Sequence, residues 1–289
     1  MDSMEKIVWL ASYPKSGNTW FRVFISNLLS GSQQPIDINL LKNSPIASSR
    51  LTFDEATGLA SSDLTKEEIE NLRPGVYRQL ASETEELLFQ KIHDAWYITA
   101  SGEPLVPAGV SRAVIYFIRN PLDIAVSFAH HSGTTTEKII SHMADPAYSF
   151  CSKDDRLHNQ LEQKLYTWSG HVNSWTKQSG LPVKVLRYED MKRDTFGTFT
   201  GALQFIGITR SKEEIEKAIR FSDFSELKKQ EEEKGFREKP PKADSFFRKG
   251  ETGSWREVLT DEQVQAIVAS HREVMQEYGY LDKNNQLIN

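Results

Sequence analysis

An α/β fold with a central parallel sheet flanked by helices is what this sequence predicts, and three stretches predict it. Each is a short apolar run that ends in polar residues and passes straight into helix-spaced sequence. Ile7 to Ala11 leads through Ser12-Tyr13-Pro14-Lys15-Ser16-Gly17-Asn18-Thr19-Trp20 into Phe21, Phe24, Ile25, Leu28 and Leu29. Those last five share one helical face, and Gly31 is placed to cap it. Ala113 to Ile118 leads through Arg119 and Asn120 into a helix opened by Pro121. Leu181 to Leu186 leads in the same manner into Tyr188-Glu189-Asp190. Runs this apolar suit strands covered on both faces.

The totals allow one α/β domain over residues 1–289, although two small domains also fit the length. A net charge of -5 excludes a global basic field that would draw nucleic acid or an anionic membrane. Any positive potential must be local. The lone cysteine, Cys151, rules out an internal disulfide, offers no metal cluster and fits a reducing compartment. Met1 to Lys6 enters the first strand at once, leaving no room for a signal peptide. No apolar stretch approaches the roughly 20 residues that span a bilayer. The expectation is a cytoplasmic protein with neither membrane nor nucleic acid as partner.

The first turn carries the strongest chemistry. Amides at a helix N-terminus lack intrahelical partners and sit at the positive end of the dipole, a natural seat for phosphate. Lys15 adds a cation there. Ser16, Asn18 and Thr19 add short side chains able to reach phosphate oxygens, and Gly17 lets the backbone approach closely. The plainer reading is a polar turn with a solvated lysine. The usual nucleoside-triphosphate loop needs two glycines with the lysine after the second. Here the lysine comes before a single glycine, so that loop is not present.

From Gln33 to Arg50 the chain reads as loop. Short helices follow at Phe53 to Ala56 and from Thr65, where Glu68 completes a capping box. Leu87 to Ile92 is the next strand. Its period of two brings Lys91 and His93 out on one face, at the strand end where α/β sheets place reacting groups. An exposed strand-end histidine would look the same. Trp96 to Val106 reads as a hairpin excursion. At the second junction Asn120 suits the N-cap and Asp123 the dipole, while the planar fork of Arg119 suits a phosphate monoester.

Residues 158–177 predict a covering helix on Leu161, Leu165, Trp168, Val172 and Trp175, whose tryptophans are better read as core. Residues 195–206 and 212–220 predict two more helices. Phe224 offers an aromatic face for stacking. Residues 228–247, mixed in charge and broken by Pro240-Pro241, predict a mobile cap. Arg248-Lys249-Gly250 can close over a phosphate, and a final amphipathic helix runs over 260–277.

Taken in order, these motifs resemble the sulfotransferases that use 3'-phosphoadenosine 5'-phosphosulfate (PAPS). Lys15-Ser16-Gly17-Asn18-Thr19-Trp20 is similar to that family's 5'-phosphosulfate loop, with Asn18 where threonine is usual. Arg119-Asn120-Pro121-Leu122-Asp123 through Val126-Ser127 resembles its 3'-phosphate motif, held by Arg119 and Ser127. Lys91-x-His93 matches its catalytic pair. Tyr188, Ser222 and Phe224 fall where the family contacts adenine. Phe246 to Trp255 resembles its Arg-Lys-Gly-x-x-Gly-x-Trp segment, with Arg248, Lys249 and Gly250 on the 3'-phosphate and Ser254 where aspartate is usual.

The resemblance implies one P-loop-kinase-like domain with a sheet of about five parallel strands. It implies sulfuryl transfer from PAPS to a hydroxyl of a small-molecule acceptor, leaving 3',5'-adenosine bisphosphate, with no metal needed. His93 would be the base, Lys15 the cation at the leaving oxygen, and Lys91 an aid at the sulfuryl oxygens. Ser127 would hold Lys15 back until acceptor binds, and Trp20 would edge the adenine beside Phe224. The proline-containing arginine motif with its double histidine is more similar to bacterial natural-product sulfotransferases than to steroid-type enzymes. Of the family's C-terminal dimer motif only Thr260 is present, which leaves that mode of pairing without support. Two other readings stay open here: a P-loop kinase, and a nucleotide-binding module without turnover.

Overall fold

The computed structural model describes residues 5–41, 43–153 and 155–288. Met1 to Met4, on which part of the leader expectation rests, lie outside them. In chain order the elements begin β1 (Ile7–Ser12), α1 (Asn18–Ser30), α2 (Arg50–Thr57), α3 (Lys66–Ser82), β2 (Leu88–Ile92), β3 (Ser111–Ile118) and α4 (Pro121–Ser132). There follow α5 (Thr136–Ala144), the short strands β4 (Ser149–Phe150) and β5 (Gln163–Lys164), α6 (Trp168–Asn173), β6 (Val183–Arg187) and α7 (Tyr188–Arg193). The chain closes with α8 (Thr195–Ile206), α9 (Lys212–Phe221), α10 (Phe224–Lys234) and α11 (Asp261–Glu277).

The sheet is parallel, with strand order β2-β1-β3-β6. All of β1 is buried, which places it at the centre. Its side chains alternate between two cores, as extended chain requires. Val8 and Leu10 face α1, α8 and α9, packing with Phe21, Phe24 and Phe199. Ile7, Trp9 and Ala11 face the opposite layer, with Tyr116, Trp168, Trp175 and Met275. Four strands form this sheet among the described residues, against an expectation of about five. They are the four that the apolar runs themselves mark. Trp96 to Val106 makes only an isolated antiparallel bridge, Ile98 to Pro104, outside it.

One further expectation changes. Residues 158–177 are not one helix: α6 begins only at Trp168, capped by Thr167 Oγ1 on Gly170 N, and a π-helical turn over Ser174–Gln178 follows. The stretch before it is extended, because Leu161 N donates to Ser48 O and Leu165 N to Tyr148 O. A left-handed Tyr166, φ 58°, then turns the chain into the helix. Of the segment 228–247, expected as a mobile cap, residues 228–234 belong to α10 and the rest has no helix or strand. Asp223 caps α10, whose Leu227 and Gln230 side chains are buried.

Candidate active site

The C-terminal ends of all four parallel strands meet at one cleft. β1 delivers Lys15, β2 delivers Lys91 and His93, β3 delivers Arg119, and β6 delivers Tyr188. The two anion seats therefore share a cavity, and they touch: Arg119 Nη1 donates to Lys15 O at 3.2 Å. Gly17 is the hinge of the first seat. It caps α1 at φ 99°, and a Cβ there would lie 2.8 Å from the Tyr188 ring. Both the backbone angle and the ring demand glycine.

The side chains of the first seat divide their work differently from the sequence expectation. Thr19 and Trp20 line the cleft. Ser16 is buried just behind it, and its Oγ has no partner among the described residues. Asn18 turns inward: its Nδ2 donates to Leu10 O at 2.7 Å and to Ser12 Oγ at 3.2 Å. The amide nitrogen thus braces α1 against β1, while Asn18 also lines the cleft and its Oδ1 has no partner among the described residues. Lys15 Nζ lies 3.3 Å from His131 Nδ1 and 4.3 Å from the centre of the Phe246 ring. Ser127 lines the same cleft, but the neighbour that receives Lys15 here is His131. Burial, then Arg119 and Lys91, pull the Lys15 ammonium down to about 7. Burial and Lys15 hold His131 down to about 3, so it is a neutral acceptor.

His93 is set up by its backbone contact. Its Nδ1 lies 2.8 Å from Ser12 O, and a carbonyl only accepts, so Nδ1 carries the proton. The lone pair is then on Nε2. Burial, with Lys91 beside it, holds the ring well below the usual histidine range. A second ring fixes the same turn from behind: His171 Nε2 donates to His93 O at 3.0 Å and its Nδ1 receives Tyr116 Oη at 2.8 Å.

The second seat is tied down as firmly. Asn120 Oδ1 caps α4 on Leu122 N, and Asp123 receives Gly253 N at 2.8 Å and Trp255 N at 3.2 Å. Arg119 donates to Glu251 O at 2.8 Å and stacks over Tyr188, leaving a buried Nε without a partner among the described residues. These contacts draw Arg248, Lys249 and Gly250 to the cleft wall beside Phe224. Gly250, φ 65°, lets the Phe224 ring lie flat against the loop, since a Cβ would come within 2.5 Å of it. Ser222 is the exception. It is fully buried away from the cleft, and its hydroxyl donates back to Ala218 O and Ile219 O of its own helix.

A family profile described as Sulfotransferase domain matches residues 5–279. The chain belongs to the sulfotransferase family. It is a PAPS-dependent enzyme that moves a sulfuryl group to a hydroxyl. Flavonol 3-sulfotransferase of Flaveria bidentis is 26% identical over 272 residues, covering 90% of this chain and 78% of that one. Sulfotransferase 2A6 of Rattus norvegicus is 30% identical over 180 residues, a match that spans 56% of each chain. Among solved structures, mouse sulfotransferase SULT7A1 complexed with PAP has a TM-score of 0.59 at 21% identity, over 96% of this chain and 86% of that one. Retinol dehydratase in a complex with retinol and PAP has a TM-score of 0.61 at 19% identity, over 99% and 83%. At such identity these two speak for the fold.

Some residues of this sulfotransferase's cleft take parts that no motif assigned them. His131 and Phe246 flank Lys15. Glu238, on the segment after α10, accepts from Lys91 Nζ at 2.7 Å and from Arg22 Nη1 at 2.7 and 3.0 Å. The double histidine was the sequence signal for His131 and the stretch opening at Phe246 that for Phe246; Glu238 had none. Among the described residues no cluster of His, Cys, Asp and Glu could hold a metal ion, and no helix is long and apolar enough to cross a membrane.

Proposed function

We propose that His93 is the base of this sulfotransferase, Lys15 the leaving-group cation and Lys91 the sulfuryl-side cation, in one in-line displacement. What supports this most is the tautomer of His93, whose free Nε2 belongs to the cleft that Lys15 and Arg119 share. The residues fit a donor carrying two separate phosphates. Ser16 Oγ and Arg119 Nε are buried polar atoms lacking partners among the described residues, one at each seat. Arg119, Ser127, Arg248, Lys249 and Gly250 would hold the 3'-phosphate, and Trp20, Tyr188 and Phe224 would enclose the adenine.

His93 Nε2 accepts the acceptor's hydroxyl proton as that oxygen bonds to sulfur. The bond from sulfur to the bridging phosphate oxygen breaks, and Lys15 meets the charge gathering there. Every charge in this scheme is met by a side chain. Lys15 must leave His131 for this, which frees His131 Nδ1 to face the acceptor.

The acceptor wall is aromatic with amides set into it: Phe150, Gln160, Gln163 and Phe246. Such a wall suits a flat small molecule bearing several polar groups, in keeping with a flavonol-acting relative and with a natural-product substrate. We read residues 1–289 as one domain working in the cytoplasm, as the name of Cytosolic sulfotransferase 17 of Arabidopsis thaliana suggests for that relative.

One pair of measurements tests the scheme. His93→Ala should lower transfer to phenols and alcohols by about a thousandfold. Calorimetry on the same variant should give near wild-type affinity for 3',5'-adenosine bisphosphate. Tighter binding of ATP than of the bisphosphate by the wild type would favour a kinase. Bisphosphate binding without turnover on any hydroxyl would favour a binding module.

A further inference from the structure

Glu238 places a carboxylate where a polyanionic donor would least welcome one. It sits against Lys91 in the wall of the cleft, on a chain segment that the recognised motifs do not include. Its other partner, Arg22, is 2% exposed and immobilised from behind. Arg22 Nε and Nη2 both donate to Ser44 O, at 3.1 and 2.7 Å, and Nη1 grips both carboxylate oxygens. Arg22 lies one turn into α1, the helix that begins at the phosphate seat. The array therefore runs from the donor cradle, through the cap segment, to the strand end that carries Lys91 and His93.

A buried array of this kind contributes little net stability, because desolvation offsets the attraction. It does fix geometry. We propose that Glu238 is a positioning residue for the transfer reaction: it holds Lys91 charged and aimed into the cleft, with Arg22 as its anchor. The proposal rests on the role given to Lys91 under the proposed function.

The charges facing Lys91 make the need plain. Burial lowers its pKa, Arg22 lowers it further, and Glu238 opposes both. His93 on the same strand end, Lys15 from the β1 turn and His131 from α4 also feel Lys91, and none of them supplies a negative charge. Glu238 is the one carboxylate among the causes that shape Lys91. Lys91 and Arg22 hold that carboxylate well below its usual range despite its burial, so it stays ionised through neutral pH. Without it, Lys91 would lose its proton at lower pH and its tether altogether.

The test compares Glu238→Gln, Lys91→Met and the double variant by kcat, KM and pH profile. Glu238→Gln should lower kcat by about thirtyfold at neutral pH with the donor KM changed by less than about threefold. Its basic limb should move to lower pH than in the wild type. In the Lys91→Met background the same change should have almost no further effect on kcat, since the residue it positions is gone. Glu238→Asp should restore part of kcat. An unchanged kcat and pH profile in Glu238→Gln, equal losses in both backgrounds, or a faster enzyme would each overturn the proposal. A wild type that binds the bisphosphate but transfers nothing would instead overturn the proposed function. Circular dichroism and melting on each variant separate misfolding from these outcomes, and Glu238→Asp, which keeps the charge, reads the role if Glu238→Gln is unstable.

Discussion

On the proposed reading, the donor half and the acceptor half of the cleft are built by opposite means. The core of the donor half stands on strand ends and the helices directly after them, so Lys15 and Arg119 are set largely by residues a few positions away, with the Arg248 loop added from a distance. Gly17 shapes the turn holding Lys15, and Asn120 caps the helix beyond Arg119. The acceptor half gathers His131 from the end of α4, Phe150 from β4, Gln163 from β5, and Glu238 and Phe246 from the segment after α10. Its geometry exists only once distant segments pack. A binding seat for an invariant ligand can thus be locally encoded, while the wall that chooses among acceptors is assembled at long range.

That contrast predicts different consequences for single changes. The largest belongs to the donor half. Lys15→Met should lower kcat by about a hundredfold to a thousandfold for every acceptor alike, because the leaving oxygen loses its cation. Steady-state assays on three unrelated hydroxyl compounds check it. Losses that differ widely between acceptors would mean that Lys15 belongs to the acceptor wall.

The pH profile sharpens the same point. In the proposed scheme Lys15 acts when protonated, and burial with Arg119 and Lys91 brings it down to about 7 in the free cleft. As pH rises through that value the free enzyme loses the charge, so kcat/KM for the donor should fall on that limb. A bound polyanion raises the lysine's pKa, so kcat should fall later. On the acid side the proposed base, His93, would act when neutral and is held well below the ordinary histidine range. Activity should therefore persist under mildly acidic conditions where an unperturbed histidine would already be charged. Profiles from about pH 5 to about pH 9 for both constants test this; coincident basic limbs would speak against a Lys15 that meets the donor's charge.

A change in the acceptor half should be smaller and selective. Gln163 Nε2 donates to Gln160 Oε1 at 3.0 Å, and Ser48 Oγ donates to the same oxygen at 2.9 Å. Gln163→Leu keeps the volume and removes one donor. It should alter the ranking of acceptors by about tenfold in kcat/KM while leaving bisphosphate affinity as it was.

The same contrast explains what could be read in advance. Lys15, His93, Arg119 and Tyr188 were legible because strand ends and helix starts have local rules. Glu238 was not: its partners are 216 and 147 residues away in sequence, and nothing near it marks a buried ion. Leu161 and Leu165 carried helical spacing with Trp168 and Val172, yet their backbone amides are taken by Ser48 and Tyr148, so packing overrode the period. Ser222 sat at the expected position and faced its own helix, since a serine at a helix end can bond back to the carbonyls it follows. Asn18 lines the cleft as expected, and its Nδ2 also reaches the Leu10 carbonyl of β1, a tie that its place in the motif did not announce.

The smallest expected effect on chemistry, and a separate one on stability, concerns Gly17. Alanine there must adopt φ 99° and set a methyl group 2.8 Å from the Tyr188 ring. Strain of that kind costs about 1–3 kcal/mol. Thermal melting should show the loss directly. Tyr188 also carries the Arg119 guanidinium over its face, at 4.4 Å, so a ring pushed aside disturbs the second seat as well. Bisphosphate affinity should then weaken in step with stability, while the ranking of acceptors stays fixed. If Gly17→Ala instead reordered the acceptors, the two halves of the cleft would be coupled through β1, and the division of labour drawn here would fail.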